Sequence, residues 1–103
     1  MRQFSVCRLR SEAGRGRETD VVILQHDELA SLRTRIVAPL LRPGEVRQVT
    51  RLHPMVRLRG TEFLLVMDQL SAVDTTHLGP AEATLAAHRD EIVSALDLLF
   101  TGC

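Results

Sequence analysis

The side chains that could do chemistry here are four histidines (His26, His53, His77 and His88), two cysteines (Cys7 and Cys103) and thirteen basic residues, all of them arginine. No two histidines have the spacing of metal ligands, and none stands in a recognisable pattern with a nucleophile. His88 falls near an apolar stripe and reads as a hydrogen-bonded packing residue. His53 precedes Pro54, where entry into a strand is the simpler role. Asp68 and Asp74 could meet in space as a carboxylate pair, yet nothing in their spacing separates them from solvated turn residues. The cysteines lie at opposite ends with neither metal nor redox spacing. Neither a phosphate-binding glycine loop nor a nucleophile elbow occurs. The expectation is a chain without a catalytic site, metal or cofactor.

The arginines are the remaining chemical resource. Their planar guanidinium groups suit bidentate contact with carboxylates or phosphates. Arg15 and Arg17 sit on a polar loop, and Arg57 and Arg59 on a hairpin. These four could hold a phosphate, or form a solvated face, or receive an acidic partner. Thirteen acidic residues balance the arginines to a formal net charge of zero, so no general attraction to nucleic acid or to an anionic membrane is implied. With no Trp, no Tyr and three Phe, the chain is poorly equipped to stack unpaired bases. No apolar run reaches the roughly 18–20 residues that span a bilayer. Met1-Arg2-Gln3-Phe4 runs straight into a strand pattern rather than a leader, so the expected location is cytoplasmic with reduced thiols.

Elements that would position these groups follow from periodicity. A length of 103 residues suits one domain, 1–103. Gln3–Leu9 alternates as a strand, and Ser11–Glu18 is a polar loop. Asp20–Gln25 is apolar on both faces and reads as a central strand. Asp27–Ser31 is a short connection with a possible helical turn. Arg35–Leu41 is a strand whose Pro39 must lie where no ladder N–H is needed, at an edge or a bulge. Arg42-Pro43-Gly44 is a turn. His53–Arg59 and Glu62–Met67 form a hairpin about Gly60-Thr61, and Gln69–Val73 is a short extended piece. Pro80–Phe100 carries helical spacing, with Leu85, Arg89, Ile92, Leu96 and Leu99/Phe100 on one face. Pro80 serves as the start signal and Gly102 as the stop. Strands followed by one helix predict an α+β fold, a small bent antiparallel sheet or barrel covered by the terminal helix.

The order of these pieces resembles the CcdB family of toxins from bacterial toxin–antitoxin modules. The residues that carry the resemblance are Gln3-Phe4, Ile36-Val37-Ala38-Pro39-Leu40, Leu52-His53-Pro54-Met55-Val56, Met67 to Val73, His88-Arg89, Ile92, and Leu98-Leu99-Phe100-Thr101-Gly102. The resemblance implies an SH3-like barrel with a C-terminal helix, a homodimer, and a non-enzymatic toxin that poisons DNA gyrase through its A subunit. It also implies a partly disordered, CcdA-like antitoxin. Carried over residue by residue, the gyrase-binding tip is Phe100, Thr101, Gly102 and Cys103. Thr101 and Cys103 depart from the family, whose best-known members carry a tryptophan and a large aliphatic residue at those places. Gln3, Phe4, Arg8 and Arg10 are the edge expected to receive the antitoxin. The same fold class resembles, in another branch, the MazF/Kid endoribonucleases, so RNA cleavage is the alternative function. A third is a relative that only binds its antitoxin.

Overall fold

The computed structural model describes residues 2–10 and 19–102. Strand β1 (Ser5–Leu9) pairs antiparallel with β2 (Thr19–Ile23), and β2 with β3 (Thr34–Leu41). A hairpin of β4 (Met55–Leu58) and β5 (Thr61–Leu65) joins β3 through Leu40 and Leu41. Strand β6 (Ser71–Asp74) pairs with the first half of β3, and the two-residue β7 (Ala83–Thr84) closes on β1. The result is a nearly closed antiparallel sheet, with one helix, α1 (Arg89–Thr101), packed on it. The Arg15/Arg17 loop and Cys103 lie outside the described residues. No helix among the described residues is long and apolar enough to cross a membrane.

Alternation along the central strands builds two cores. Val6, Val22, Ala38 and Leu40 face the larger one, where Leu65, Met67, Leu85, Ile92 and Ala95 meet them. Cys7, Val21, Ile23 and Val37 face the smaller one on the opposite side. Both faces of β2 are therefore covered, which explains its unbroken apolar run. Burial in the smaller core raises the pKa of the Cys7 thiol.

Pro39 lies where no ladder N–H is needed, as expected, and the place is inside β3, between the stretch paired with β6 and the stretch paired with β5. Leu24 N–H donates to the Ile36 carbonyl, and this sets the phase of the β2–β3 ladder so that Pro39 and Val21 form a non-bonded pair. The side of Pro39 that lacks an N–H thus faces away from β2. There β6 has ended at Val37 and β5 begins at Leu40. The proline marks the gap between the two neighbours.

Two expected boundaries shift. The hairpin turns on Arg59-Gly60, not Gly60-Thr61: φ is 51° at Arg59 and 76° at Gly60, the pattern of a type I′ turn. Helix α1 begins at Arg89 rather than Pro80. The N–H groups of Glu82 and Leu85 donate to the carbonyls of Val6 and Phe4, so sheet pairing takes residues that helical spacing had claimed. Leu85 is buried from that strand, whereas Arg89 is exposed. Ile92, Ala95, Leu96 and Leu99 remain as the packed stripe of α1. Gly102, with φ of 76°, ends the helix by donating its N–H to the Leu98 carbonyl at 3.1 Å.

Side chains pin the connections. Arg35, buried among carbonyls, donates to Ala30, Leu32 and Thr34. Asp27 accepts the Gln3 N–H at 2.7 Å, and Asp74 accepts the Thr76 N–H at 2.9 Å. Those backbone hydrogen bonds are the main reason that both carboxyls are held below their ordinary pKa.

Two outcomes follow from this geometry. Arg59→Asn places a residue suited to left-handed φ in the turn and raises stability by about 0.5–1 kcal/mol in denaturant unfolding. A carboxyl whose folded pKa is depressed contributes stability above its unfolded value and loses it as pH falls through the folded one. Thermal stability therefore declines from about pH 4 downward, and Asp27→Asn with Asp74→Asn makes that acid limb shallower.

Candidate functional site

The end of α1 is the clearest surface feature. Phe100 is 69% exposed, the most of any large apolar side chain described. It lies outside the packed stripe because one step beyond Leu99 turns the helix by about 100°. Thr101 and Gly102 beside it are exposed, and the Thr101 hydroxyl donates back to the Asp97 carbonyl at 2.6 Å. The tip is surface in the single chain, not a plug of the barrel. Phe100, Thr101 and Gly102 are together there, while Cys103 lies outside the described residues.

The N-terminal edge does not hold together as one surface. Phe4 is 4% exposed and belongs to the core. Its backbone takes a left-handed φ of 68° and is held by bonds to Ile23 and Leu85. Gln3 is half-buried, its amide donating to the Leu24 carbonyl at 2.9 Å. In the single chain, then, both side chains are engaged within the fold. Arg8 and Arg10 do share a small cleft with Gly79, Pro80 and Glu82. Arg8 stands 3.4 Å from Asp20 and 3.6 Å from Glu82. The cleft is basic and acidic by turns, which favours structural pairing over capture of an acidic tail.

The hairpin gathers other arginines. Arg42 and Arg57 line an open groove of about 500 Å³ with Pro43, Gly60, Thr61 and Glu62. Arg57 meets Glu62 at 3.2 Å, and the Arg42 guanidinium lies 5.8 Å from the centre of the Phe63 ring. Arg59 reaches instead toward Asp20, at 3.7 Å.

A histidine with an unforeseen role anchors the loop beside β4. His53 is 3% exposed; its Nδ1 accepts the Val49 N–H at 3.0 Å, and its Nε2 lies 2.6 Å from Asp68 Oδ1. A backbone N–H can only donate, so Nδ1 carries the lone pair and the proton sits on Nε2, donated to Asp68. Both nitrogens are committed, and the ring has none to offer a substrate. The carboxylate pair considered in the sequence, Asp68 with Asp74, is replaced by this partnership. Asp74 caps the turn at Thr75–His77.

A nearly closed antiparallel sheet packed on one C-terminal helix is a small barrel-like α+β fold. The chain belongs to the CcdB family, whose model, described as CcdB protein, matches residues 3–102. Among solved structures it is similar to Mycobacterium tuberculosis toxin MazF-mt6, with a TM-score of 0.75, 16% identity and coverage of 93% of this chain and 95% of that one. It is also similar to an endoribonuclease in complex with its cognate antitoxin from mycobacterial species, with a TM-score of 0.73, 15% identity and coverage of 94% and 91%. No curated protein sequence matches significantly. The likeness to those two establishes the fold. It also corrects the expectation of a non-enzymatic chain, because this barrel is one that an endoribonuclease carries.

Replacing His53 by Leu leaves the Val49 N–H without its acceptor and frees the loop. The expected cost is about 1–3 kcal/mol, read as a lower midpoint in denaturant. Phe100→Ser, in contrast, stays within about 0.5 kcal/mol of the natural chain.

Proposed function

We propose that this chain is the toxin of a toxin–antitoxin module and inhibits DNA gyrase by setting the end of α1 against the gyrase A subunit. The observation that carries this reading is Phe100, a large aromatic held in water on a capped, rigid helix end. Folding gains nothing from that exposure, whereas a binding partner would. Membership of the CcdB family supports the target. An antitoxin restrains the toxin, as one is complexed with the similar mycobacterial endoribonuclease. The toxin acts as a homodimer in the cytoplasm, presenting two such tips.

RNA cleavage is the second reading. The groove holding Arg42, Arg57, Thr61 and Glu62 gathers cationic, hydroxyl and carboxylate groups in one place, and the fold is shared with an endoribonuclease.

Induced expression in a host with sensitive gyrase separates the two. Accumulation of cleaved DNA supports gyrase inhibition, whereas RNA decay with intact DNA overturns it in favour of the second reading. On the first reading, Phe100→Asp weakens gyrase binding by at least about tenfold, equivalent to about 1.4 kcal/mol, without moving the thermal melt. Thr101→Trp restores the aromatic bulk and strengthens binding by a similar factor. Unchanged binding in both variants rules out the helix tip as the contact.

A further inference from the structure

The sheet ends on β4, which pairs with β5 and with no other described strand. Leu65 N–H donates to the Pro54 carbonyl at 3.0 Å, and that bond fixes the phase of the ladder. Val56/Phe63 and Leu58/Thr61 are then bonded pairs, while Met55/Leu64 and Arg57/Glu62 are non-bonded pairs. The N–H and C=O groups of Met55 and Arg57 consequently point away from β5. No hydrogen bond from another described residue reaches them. Alongside runs a groove of about 460 Å³, with Gln48, Pro54 and Met55 on one wall and Asp90, Glu91 and Ser94 of α1 on the other. An unpaired edge facing a helix across a groove is a bed for an extended chain.

We propose that the edge of β4 takes up an extended segment of the antitoxin as an additional antiparallel strand, with a carboxylate side chain opposite Arg57 and an apolar one opposite Met55. The inference rests on the partner reading above. Charge sets the order of the segment. Arg57 is exposed at the hairpin end. The groove at the Met55 end is instead lined by two carboxylates, Asp90 and Glu91, against one cation, Arg51, and so disfavours a further carboxylate there. An antiparallel strand passes Arg57 before Met55, so its pattern is acidic–any–apolar. The middle residue falls on the side of Val56, toward α1, and enters the groove. Met55, 41% exposed, supplies an adaptable apolar contact. The Arg57–Glu62 pair is a surface contact, which exchanges readily for a carboxylate on the new strand.

The probe is a fluorescein-labelled nine-residue peptide with Glu-Val-Leu at its centre, titrated into the full chain by fluorescence polarisation and by amide chemical shifts. Methylating the backbone nitrogens of Glu and Leu, which would face β4, should weaken binding by about tenfold or more. Methylating the Val nitrogen, which points outward, should change it less than about threefold. Arg57→Glu should weaken the Glu peptide by about fivefold or more and favour a peptide carrying Lys there, and a thermal melt checks that this variant folds. Arg57→Gln provides a milder second variant, with a smaller loss expected. Equal binding of all methylated peptides, or shifts confined to residues outside β4 and the first turns of α1, overturns strand addition. So does self-association through β4 in the absence of peptide. Strand addition fails alone if purified antitoxin binds while masking none of the Met55 and Arg57 amides from hydrogen exchange. If the antitoxin does not bind at all, the partner reading falls with it.

Discussion

Strand β3 cannot have the same neighbour along its whole length, and the remainder of the barrel follows from that constraint. Its first half lies against β6 and its last two residues against β5, with Pro39 at the change. The ladder asks for no N–H there, at the point where one neighbour gives way to the other. Proline has none, and its carbonyl still accepts the Val66 N–H at 3.0 Å. Because β6 stops short, the chain between β5 and β6 can turn through Met67–Gln69 over the larger core. Because β5 leaves with the far end of β3, the β4–β5 hairpin swings to the rim and β4 keeps an open side. The sheet curls at one residue, and the hairpin arginines reach the surface for the same reason.

Much of this was legible in the residues. The apolar run of β2 announced a strand covered on both faces, and Gly102 announced the end of the helix. What the sequence could not show were contests between two local preferences. Leu85 fits the helical stripe by spacing, yet its N–H pairs with Phe4 across the barrel. Arg59 is an uncommon choice for a left-handed turn position, so glycine drew the expected turn one residue too far. His53 looked like a strand entry because its partners, Val49 and Asp68, lie on opposite sides in sequence with no periodic relation to it. A signal was present in one respect: a polar ring flanked by Leu52 and Pro54 on the way into a buried strand needs partners for both nitrogens.

The arginines divide into two kinds that composition merged. Arg35 is structural, its planar fork closing on three carbonyls that a lysine ammonium could not span in the same way. Arg8 and Arg59 converge on Asp20, a mostly buried carboxylate at the start of β2. Arg42 and Arg57 remain at the hairpin, lining an open groove. A neutral total thus conceals arginines in unlike settings, some closed on the chain's own acceptors and others open at the hairpin groove.

The clamp at His53 also bears on how the surface beside it can change. The loop from Arg42 to Leu52 has little core of its own, yet its path is fixed from beneath by one imidazole and by the Leu52 and His53 N–H groups on the Val49 carbonyl. Of the residues on the wall facing α1, Gln48 adds a tie of its own, its amide donating to the His53 carbonyl at 3.5 Å. A substitution at Thr50 would therefore alter what the wall presents while the imidazole and the Val49 carbonyl still hold the backbone beneath it. The shape of this loop is thus set chiefly from below, and its outer chemistry from above, with Gln48 belonging to both.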